Sequence, residues 1–268
     1  MYTRILVPVD GSSFSEQIVA PAAELARGTG ATLTLLRVVD GADERAAATD
    51  YVKKLATPVG ATALCLQAPG EGVAAAIRHE AKRVPATLVV MCSHGRSGAM
   101  QAIFGSVALQ VLRELGEPLV VFHPHEDSLP AVPTIRQVVL PLDGSELSET
   151  IVPQAAELAK WLGAKVVVVS VLDPAARSAL GAPPSDVHES TYVRARAREI
   201  ADRYGVAIGW EVLHGDPKEA IPHYVRGLGD AMLAMTTHGR TGLRSVTAGS
   251  VTAQCLRDAK VPVFTRLP

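Results

Sequence analysis

The stretch Ile5-Leu-Val-Pro-Val-Asp-Gly-Ser12 decides the fold, because it returns later in the chain as Val138-Val-Leu-Pro-Leu-Asp-Gly-Ser145. Four further blocks return in the same order. They begin at Val19, Leu35, Ser93 and Gly105, and their second copies begin at Ile151, Val168, Thr237 and Gly249. Matching blocks in matching order indicate a tandem duplication. The offset between the copies grows in the later blocks, so the second copy carries an insertion around residues 180–192.

The duplication divides the 268 residues into two modules of ordinary domain size. We expect module 1 at residues 1–124, a linker at 125–134 and module 2 at 135–268. The segment that begins at His123 and ends at Pro133 is rich in proline and polar residues, which is a linker composition.

Short runs of β-branched and aliphatic residues recur in each module. They do not alternate with polar residues, as is typical of parallel strands buried on both faces. The predicted strands are Arg4–Val9, Ala31–Val38, Ala61–Gln67, Thr87–Cys92 and Pro118–Phe122, then Gln137–Pro141, Ala164–Val171, Val206–Leu213, Ala231–Met235 and Pro262–Thr265. The predicted helices of module 1 are Ser15–Arg27, Asp43–Leu55, Gly72–Lys82 and Ser106–Leu115. This alternation predicts an α/β fold, two doubly wound, five-stranded parallel sheets.

Composition excludes several classes of protein. The chain has 26 basic and 27 acidic residues and shows no basic stripe, so we expect no nucleic-acid partner. The three cysteines are widely spaced and form no CxxC pair, which argues against a disulfide framework. No signal peptide and no apolar run of membrane-spanning length is evident. We therefore expect a soluble, cytoplasmic protein without a membrane partner.

Two features of each module fall at the carboxyl ends of predicted strands, where open α/β sheets bind their ligands. One is the aspartate that ends the first strand, Asp10 or Asp143. The other is a loop after the fourth strand, which runs from His94-Gly95 to Gly105-Ser106 and returns as His238-Gly239 to Gly249-Ser250. Glycines let the backbone approach a ligand, and the helix that Gly-Ser opens presents free N–H groups to an anion.

Each feature also has a purely structural interpretation. Gly-Ser can serve only to begin a helix, and the aspartate can cap the helix that follows it rather than bind ribose or an adenine edge. Arg96 and Arg240 follow the His-Gly pairs and either neutralise a phosphate or lie in solvent at the tip of the loop. The repetition of the whole loop at identical spacing favours a ligand site.

These motifs resemble the universal stress protein family, in its tandem form, over nearly the whole chain. The family pattern places Pro-x-Asp at the end of strand one, and after strand four Gly-x-x-Gly, nine residues, then Gly-Ser or Gly-Thr. The resemblance implies a flavodoxin-like fold and ATP as the cofactor. It implies binding residues in module 1 at Pro8, Asp10, Val38, Met91, Cys92, Gly95, Arg96, Gly105, Ser106 and Val107. In module 2 it implies Pro141, Asp143, Val171, Met235, Thr236, Gly239, Arg240, Gly249, Ser250 and Val251.

The sequence departs from this pattern at its first glycine, which is Cys92 in module 1 and Thr236 in module 2. A Cβ at this point narrows the place where backbone and ligand come closest. Two functions therefore stay open: a stress-response regulator that binds adenine nucleotide in each module, and an interaction module with degenerate sites that binds none.

No catalytic residue or metal site is predicted, because no nucleophile, general base or set of metal ligands is identifiable. At most we expect slow ATP hydrolysis. The resemblance further implies that the modules pair through their fifth strands as an intramolecular pseudo-dimer, and whole chains can in turn form a homodimer. Pairing would hide strand edges that an isolated module leaves exposed.

Overall fold

The computed structural model describes residues 1–68, 70–93, 105–122, 134–173, 186–237 and 250–267. Side chains of residues 186–188 are not described. The chain forms two compact units, residues 1–134 and 135–268. Within the described ranges, no helix is both long and apolar enough to cross a membrane.

Unit 1 alternates strands and helices, as the sequence predicts. Its elements are β1 (Arg4–Pro8), α1 (Ser13–Glu16), α2 (Val19–Thr29), β2 (Thr32–Val39), α3 (Arg45–Ala56), a 3-10 turn (Thr57–Val59), β3 (Thr62–Gln67), α4 (Val73–Arg83), β4 (Thr87–Cys92), α5 (Ser106–Leu115) and β5 (Leu119–Phe122). The strand order is β3-β2-β1-β4-β5, and the register between paired strands is parallel.

Unit 2 repeats this order. Its elements are β6 (Gln137–Pro141), α6 (Glu146–Glu149), α7 (Val152–Leu162), β7 (Lys165–Leu172), α8 (Asp186–Tyr204), β8 (Ile208–His214), α9 (Pro217–Leu228), β9 (Ala231–Thr236), α10 (Ser250–Asp258) and β10 (Val263–Arg266). The strands lie in the order β10-β9-β6-β7-β8, again in parallel. The predicted fold class is confirmed: each unit is a doubly wound, flavodoxin-like α/β module.

The central strands are buried on both faces, which explains their unbroken apolar runs. Ile5, Leu6 and Val7 of β1 have no exposed surface, and neither do Val138, Val139 and Leu140 of β6. The outer strands β3 and β8 are half-exposed along most of their length. In each unit the order of strands reverses beside the central strand, between β1 and β4 and between β6 and β9. This reversal opens a crevice at the carboxyl edge of the sheet.

The first helix differs from the prediction. The single helix expected at Ser15–Arg27 is two helices, α1 and α2, because helical bonding is interrupted before Val19. Pro21 then falls on the third residue of α2, where its missing N–H removes no intrahelical hydrogen bond. Pro153 lies at the corresponding start of α7.

A buried ion pair joins the first strand of unit 1 to helix α4. Arg4 donates from Nη1 to Glu80 Oε1 at 2.7 Å, from Nη2 to the Glu80 carbonyl at 2.6 Å and from Nε to Thr87 Oγ1 at 2.9 Å. Arg4 is 6% and Glu80 4% exposed. Charges removed from water are tolerated only when paired and hydrogen-bonded in this way. The pair therefore holds α4, which borders the crevice, against the sheet.

Candidate functional site

The aspartate after the central strand forms a tight turn in both units. Asp10 Oδ1 accepts hydrogen bonds from the Ser12 N–H at 3.0 Å and the Ser12 hydroxyl at 2.6 Å. Asp143 Oδ1 accepts the same two bonds from Ser145 at the same distances. The intervening Gly11 has φ of 87°, a left-handed conformation in which glycine is unstrained. Oδ1 of each aspartate therefore holds the turn, but the aspartate does not itself cap the following helix, whose N-cap is the serine.

The serine of this turn caps the next helix. Ser12 Oγ accepts from the Ser15 N–H at 3.2 Å, and Ser145 Oγ accepts from the Ser148 N–H at 3.2 Å. Such a cap satisfies an N–H group that the helix leaves without an internal partner. The Pro-x-Asp-Gly-Ser motif thus fixes the path of the chain as it leaves the central strand and places the aspartate at the crevice.

The loop after β4 is closed at its base by two backbone hydrogen bonds. The Ser93 N–H donates to the Phe122 carbonyl at 2.7 Å, and the Gly105 N–H donates to the Ser93 carbonyl at 2.7 Å. Gly105, not Ser106, is the N-cap residue of α5, so Ser106 occupies the first helical position. The Gly105 N–H is therefore used within the loop, and Ser106 does not cap the helix.

Helix α5 begins without a side-chain cap from any described residue. Its first N–H groups, on Ser106, Val107 and Ala108, have no carbonyl partner within the helix. These three residues line a cavity in unit 1. Free N–H groups and the positive end of the helix dipole make this wall of the cavity a favourable place for an anion.

The cavity has a volume of about 380 Å³ and lies at the carboxyl ends of β1, β2 and β4. It brings together every predicted site residue of module 1 that the structure describes. These are Pro8, Asp10, Val38, Met91, Cys92, Gly105, Ser106 and Val107. Gly95 and Arg96 lie outside the described residues.

Further lining residues were not predicted from the sequence. Arg37 and Asp40 come from the end of β2, Glu44 from the start of α3, and Val73 and Ile77 from α4. Asp40 has a detectable signal, because the block that begins at Leu35 repeats up to Asp173. Arg37 has no such signal in the sequence, because Ser170 takes its place in the second copy. Glu44 has none either, because it lies outside the repeated blocks.

In unit 2 the predicted residues occupy the corresponding strand ends. Pro141 ends β6, Val171 lies near the end of β7, and Met235 and Thr236 end β9. Met235 and Thr236 are 7% and 4% exposed, whereas Val171 is half-buried. Ser250 and Val251 begin α10. Gly239, Arg240 and Gly249 lie outside the described residues.

A glutamate in the first helix of each unit accepts side-chain hydrogen bonds, from a tyrosine in unit 1 and from an arginine in unit 2. Tyr51 Oη donates to Glu16 Oε1 at 2.9 Å in unit 1, and Arg196 donates to Glu149 from Nε at 2.9 Å and from Nη2 at 2.6 Å in unit 2. Burial, this hydrogen bond and the charges of Glu16 and Asp10 raise the pKa of Tyr51 above its ordinary value. The phenol therefore stays neutral and acts as a donor beside the crevice.

The unit 1 cavity combines three kinds of recognition. Its aliphatic walls, including Val38, Met91 and Ile77, suit a flat apolar ring. The carboxylates of Asp10, Asp40 and Glu44 are acceptors for hydroxyl and amino groups. The start of α5 supplies donors for an anion. Among the described residues, no group of three or more His, Cys, Asp or Glu side chains could hold a metal ion.

The universal stress protein family model matches residues 1–68, 70–123 and 134–265. A relative from Methanocaldococcus jannaschii, itself a universal stress protein, is 29% identical over 48% of this chain and 80% of its own length. A universal stress protein of Mycobacterium tuberculosis is 26% identical over 67% of this chain. The match spans less than two thirds of that relative, 61% of its length.

Solved structures agree at the level of the fold. The crystal structure of a universal stress protein from Archaeoglobus fulgidus covers 100% of this chain and 99% of its own, with a TM-score of 0.66 and 17% identity. A universal stress protein has also been solved in complex with cAMP, but its TM-score to this chain is 0.38, a likeness too slight to support an argument about ligands here.

The doubly wound fold, its duplication and the crevice at the carboxyl edge of the sheet define the class: the protein consists of two α/β modules in tandem. Since the family model accounts for nearly the whole chain, the protein belongs to the universal stress protein family.

Proposed function

We propose that this protein is a cytoplasmic regulatory universal stress protein that binds an adenine nucleotide, ATP, at the carboxyl ends of its strands. The observation that carries the proposal is the unit 1 cavity, in which apolar walls, carboxylates and the uncapped start of α5 meet. A nucleotide presents a matching series of an apolar base, a ribose with hydroxyls and an anionic phosphate chain. The residues present fit such a ligand.

The proposed roles follow from the chemistry of each wall. Val38 and Met91 contact the base, and the carboxylates of Asp10 and Asp40 accept hydrogen bonds from ribose or from the amino group of adenine. The phosphates lie at the first turn of α5. Binding then changes the conformation of the crevice or its partners, and regulation rather than turnover is the output.

A charge introduced at Gly105 tests the phosphate position. Gly105 has φ of −65° and ψ of 161°, an N-cap geometry that aspartate and asparagine adopt readily. Both Gly105→Asp and Gly105→Asn should therefore preserve helix α5. Only the aspartate places a negative charge beside the phosphates, a repulsion of about 4 kcal/mol for charges 4 Å apart at a dielectric constant of 20.

The experiment is a titration with ATP, followed by native mass spectrometry and calorimetry. We expect the wild-type protein and Gly105→Asn to bind, and Gly105→Asp to lose binding at an unchanged melting temperature. Equal affinity of the two variants would contradict the proposed phosphate position.

A second candidate function is a ligand-free interaction module. Two polar groups expected to face a ligand are used internally: the Gly105 N–H donates to Ser93, and Asp10 Oδ1 accepts from Ser12. A chain that stays bare at millimolar ATP would establish this alternative over the first.

We further propose that the two units pair through β5 and β10. Each of these is the terminal strand of its own unit's five-stranded order, and terminal strands present unpaired backbone groups that proteins cover. Formation of a homodimer by whole chains remains a prediction.

A further inference from the structure

Positions of the two units can be matched residue by residue around the crevice. The repeated blocks align Arg37 with Ser170, Cys92 with Thr236, and Ala108 with Thr252. Helices α3 and α8 align through their buried residues, since Ala48 and Val52 correspond to Val193 and Ala197 at a constant offset.

The same offset pairs Glu44 with Glu189, and Ala47 with Tyr192, so the extra residues of the second copy fall between Asp173 and Glu189, earlier than the predicted 180–192. In unit 1 the residues at positions 37, 44, 92 and 108 all line the cavity. Their counterparts can therefore be compared as the walls of the same crevice.

In unit 2 a hydrogen bond joins the counterparts of Cys92 and Ala108. Thr252 is 3% exposed, and its hydroxyl donates to the Thr236 carbonyl at 2.8 Å. In unit 1 the corresponding residue is Ala108, whose side chain has no hydroxyl to donate. Replacing alanine by threonine adds two heavy atoms to the first turn of the helix, and the hydrogen bond fixes them against the end of β9.

A second hydrogen bond in unit 2 joins the counterparts of Arg37 and Glu44. Ser170, which is 2% exposed, donates from Oγ to Glu189 Oε1. In unit 1 the counterparts Arg37 and Glu44 both line the cavity, and among the described residues no hydrogen bond or ion pair joins one to the other. In unit 2 a serine thus stands in place of a guanidinium group, and its hydrogen bond holds the Glu189 carboxylate near the end of β7. Both changes disfavour an anionic ligand.

A tyrosine adds bulk on the same side. Tyr192 replaces Ala47, and its Oη is buried without a hydrogen-bond partner among the described residues. Burial, followed by the charge of Glu149, raises the pKa of this phenol, and Asp143 and Glu189 contribute in the same direction. Tyr192 lies three residues after Glu189 on α8, so the two side chains share one face of that helix.

We propose that unit 2 closes its own crevice through the Thr252–Thr236 and Ser170–Glu189 contacts, so that the chain binds one nucleotide, in unit 1. This inference rests on the proposed function. It assigns the two halves of the duplication different tasks: unit 1 binds the nucleotide, and unit 2 does not.

Reciprocal exchange between the units tests the inference. Ala108→Thr installs the unit 2 residue in unit 1, and Thr252→Ala combined with Glu189→Ala removes both closing contacts from unit 2. Ala195→Thr, on the exposed face of α8, is the matched control. ATP stoichiometry is counted by native mass spectrometry, affinity is measured by calorimetry, and each melting temperature is recorded.

We expect one ATP per wild-type chain and per control chain. Ala108→Thr should weaken this binding by about tenfold or more, the scale of an overpacked site. The double variant should bind a second ATP, and this result does not depend on the folding of an altered unit 1.

Two equivalents on the wild-type chain, full affinity in Ala108→Thr, or a double variant that still binds one would each overturn the inference while leaving nucleotide binding in place. A wild-type chain that binds no adenine nucleotide would instead refute the proposed function, and the inference with it.

Discussion

The backbone N–H of Ser106 can be removed without harm to the helix that carries it. Ser106 is the first residue of α5, where proline is favoured because the N–H has no partner within the helix. Proline also constrains the residue before it to extended backbone, and Gly105 already has ψ of 161°. Ser106→Pro should therefore leave unit 1 folded and delete one donor from the wall of the cavity.

The expected cost to ATP binding follows from the kind of hydrogen bond lost. A hydrogen bond to a charged group contributes about 1.5–3 kcal/mol. We therefore expect Ser106→Pro to bind ATP about 10-fold to 150-fold more weakly than the wild-type protein. Ser106→Ala removes only the hydroxyl, so the ratio of affinities between the proline and alanine variants isolates the contribution of the N–H.

Calorimetric titrations with ATP and with adenosine separate the two ends of the ligand. Adenosine lacks phosphates, so its affinity should be the same for Ser106→Pro and Ser106→Ala. If both variants bind ATP equally, or if the proline variant loses adenosine as well, the start of α5 does not bind the phosphates. A melting temperature close to that of the wild-type protein is the control for folding.

Three further predictions concern stability and assembly. Glu80→Ala leaves Arg4 buried without its partner, which should cost about 3–5 kcal/mol and lower the melting temperature of unit 1 by roughly 10–15 °C in scanning calorimetry; Glu24→Ala, in an exposed pair, should change it little. Burial alone would raise the pKa of Glu80, but hydrogen bonds from Arg83 and Arg4 outweigh it and hold the pKa below its ordinary value. The stabilisation is therefore present at neutral pH and lost as the pH falls below about 4, so denaturation curves of wild-type protein and Glu80→Gln should converge in acid. Val120→Asp, in β5, should split or aggregate the chain, and a variant of wild-type size and melting temperature in gel filtration and calorimetry would count against pairing of the units.

Most of the fold could be predicted because its signals are local. Buried parallel strands need unbroken apolar runs, and Thr87–Cys92 and Gln137–Pro141 coincide with their predicted bounds. The division of the first helix was missed, since the interruption before Val19 has no glycine to mark it. Pro21 was the only signal there, and a proline is compatible with either one helix or the first turn of a second.

The candidate site could be predicted where its residues end a strand or belong to the repeated Gly-Ser block at the start of α5. Carboxyl ends of parallel strands meet at one edge of a sheet, so Asp10, Val38 and Met91 were expected to converge. Glu44, Val73 and Ile77 reach the cavity through the packing of α3 and α4 on the sheet. Neither the tilt nor the approach of a helix is encoded in local sequence, and these residues were therefore not found.

Comparison of the two copies separates residues that the fold needs from residues that a ligand needs. The Asp-Gly-Ser turn has the same hydrogen bonds and distances in both units, which is what a structural requirement predicts. Positions 37 and 108 change character between the copies, and their counterparts Ser170 and Thr252 make new contacts. Because this turn explains the aspartate in both units without a ligand, the repeated aspartate is poor evidence for binding, and the case for a nucleotide depends instead on the other walls of the unit 1 cavity.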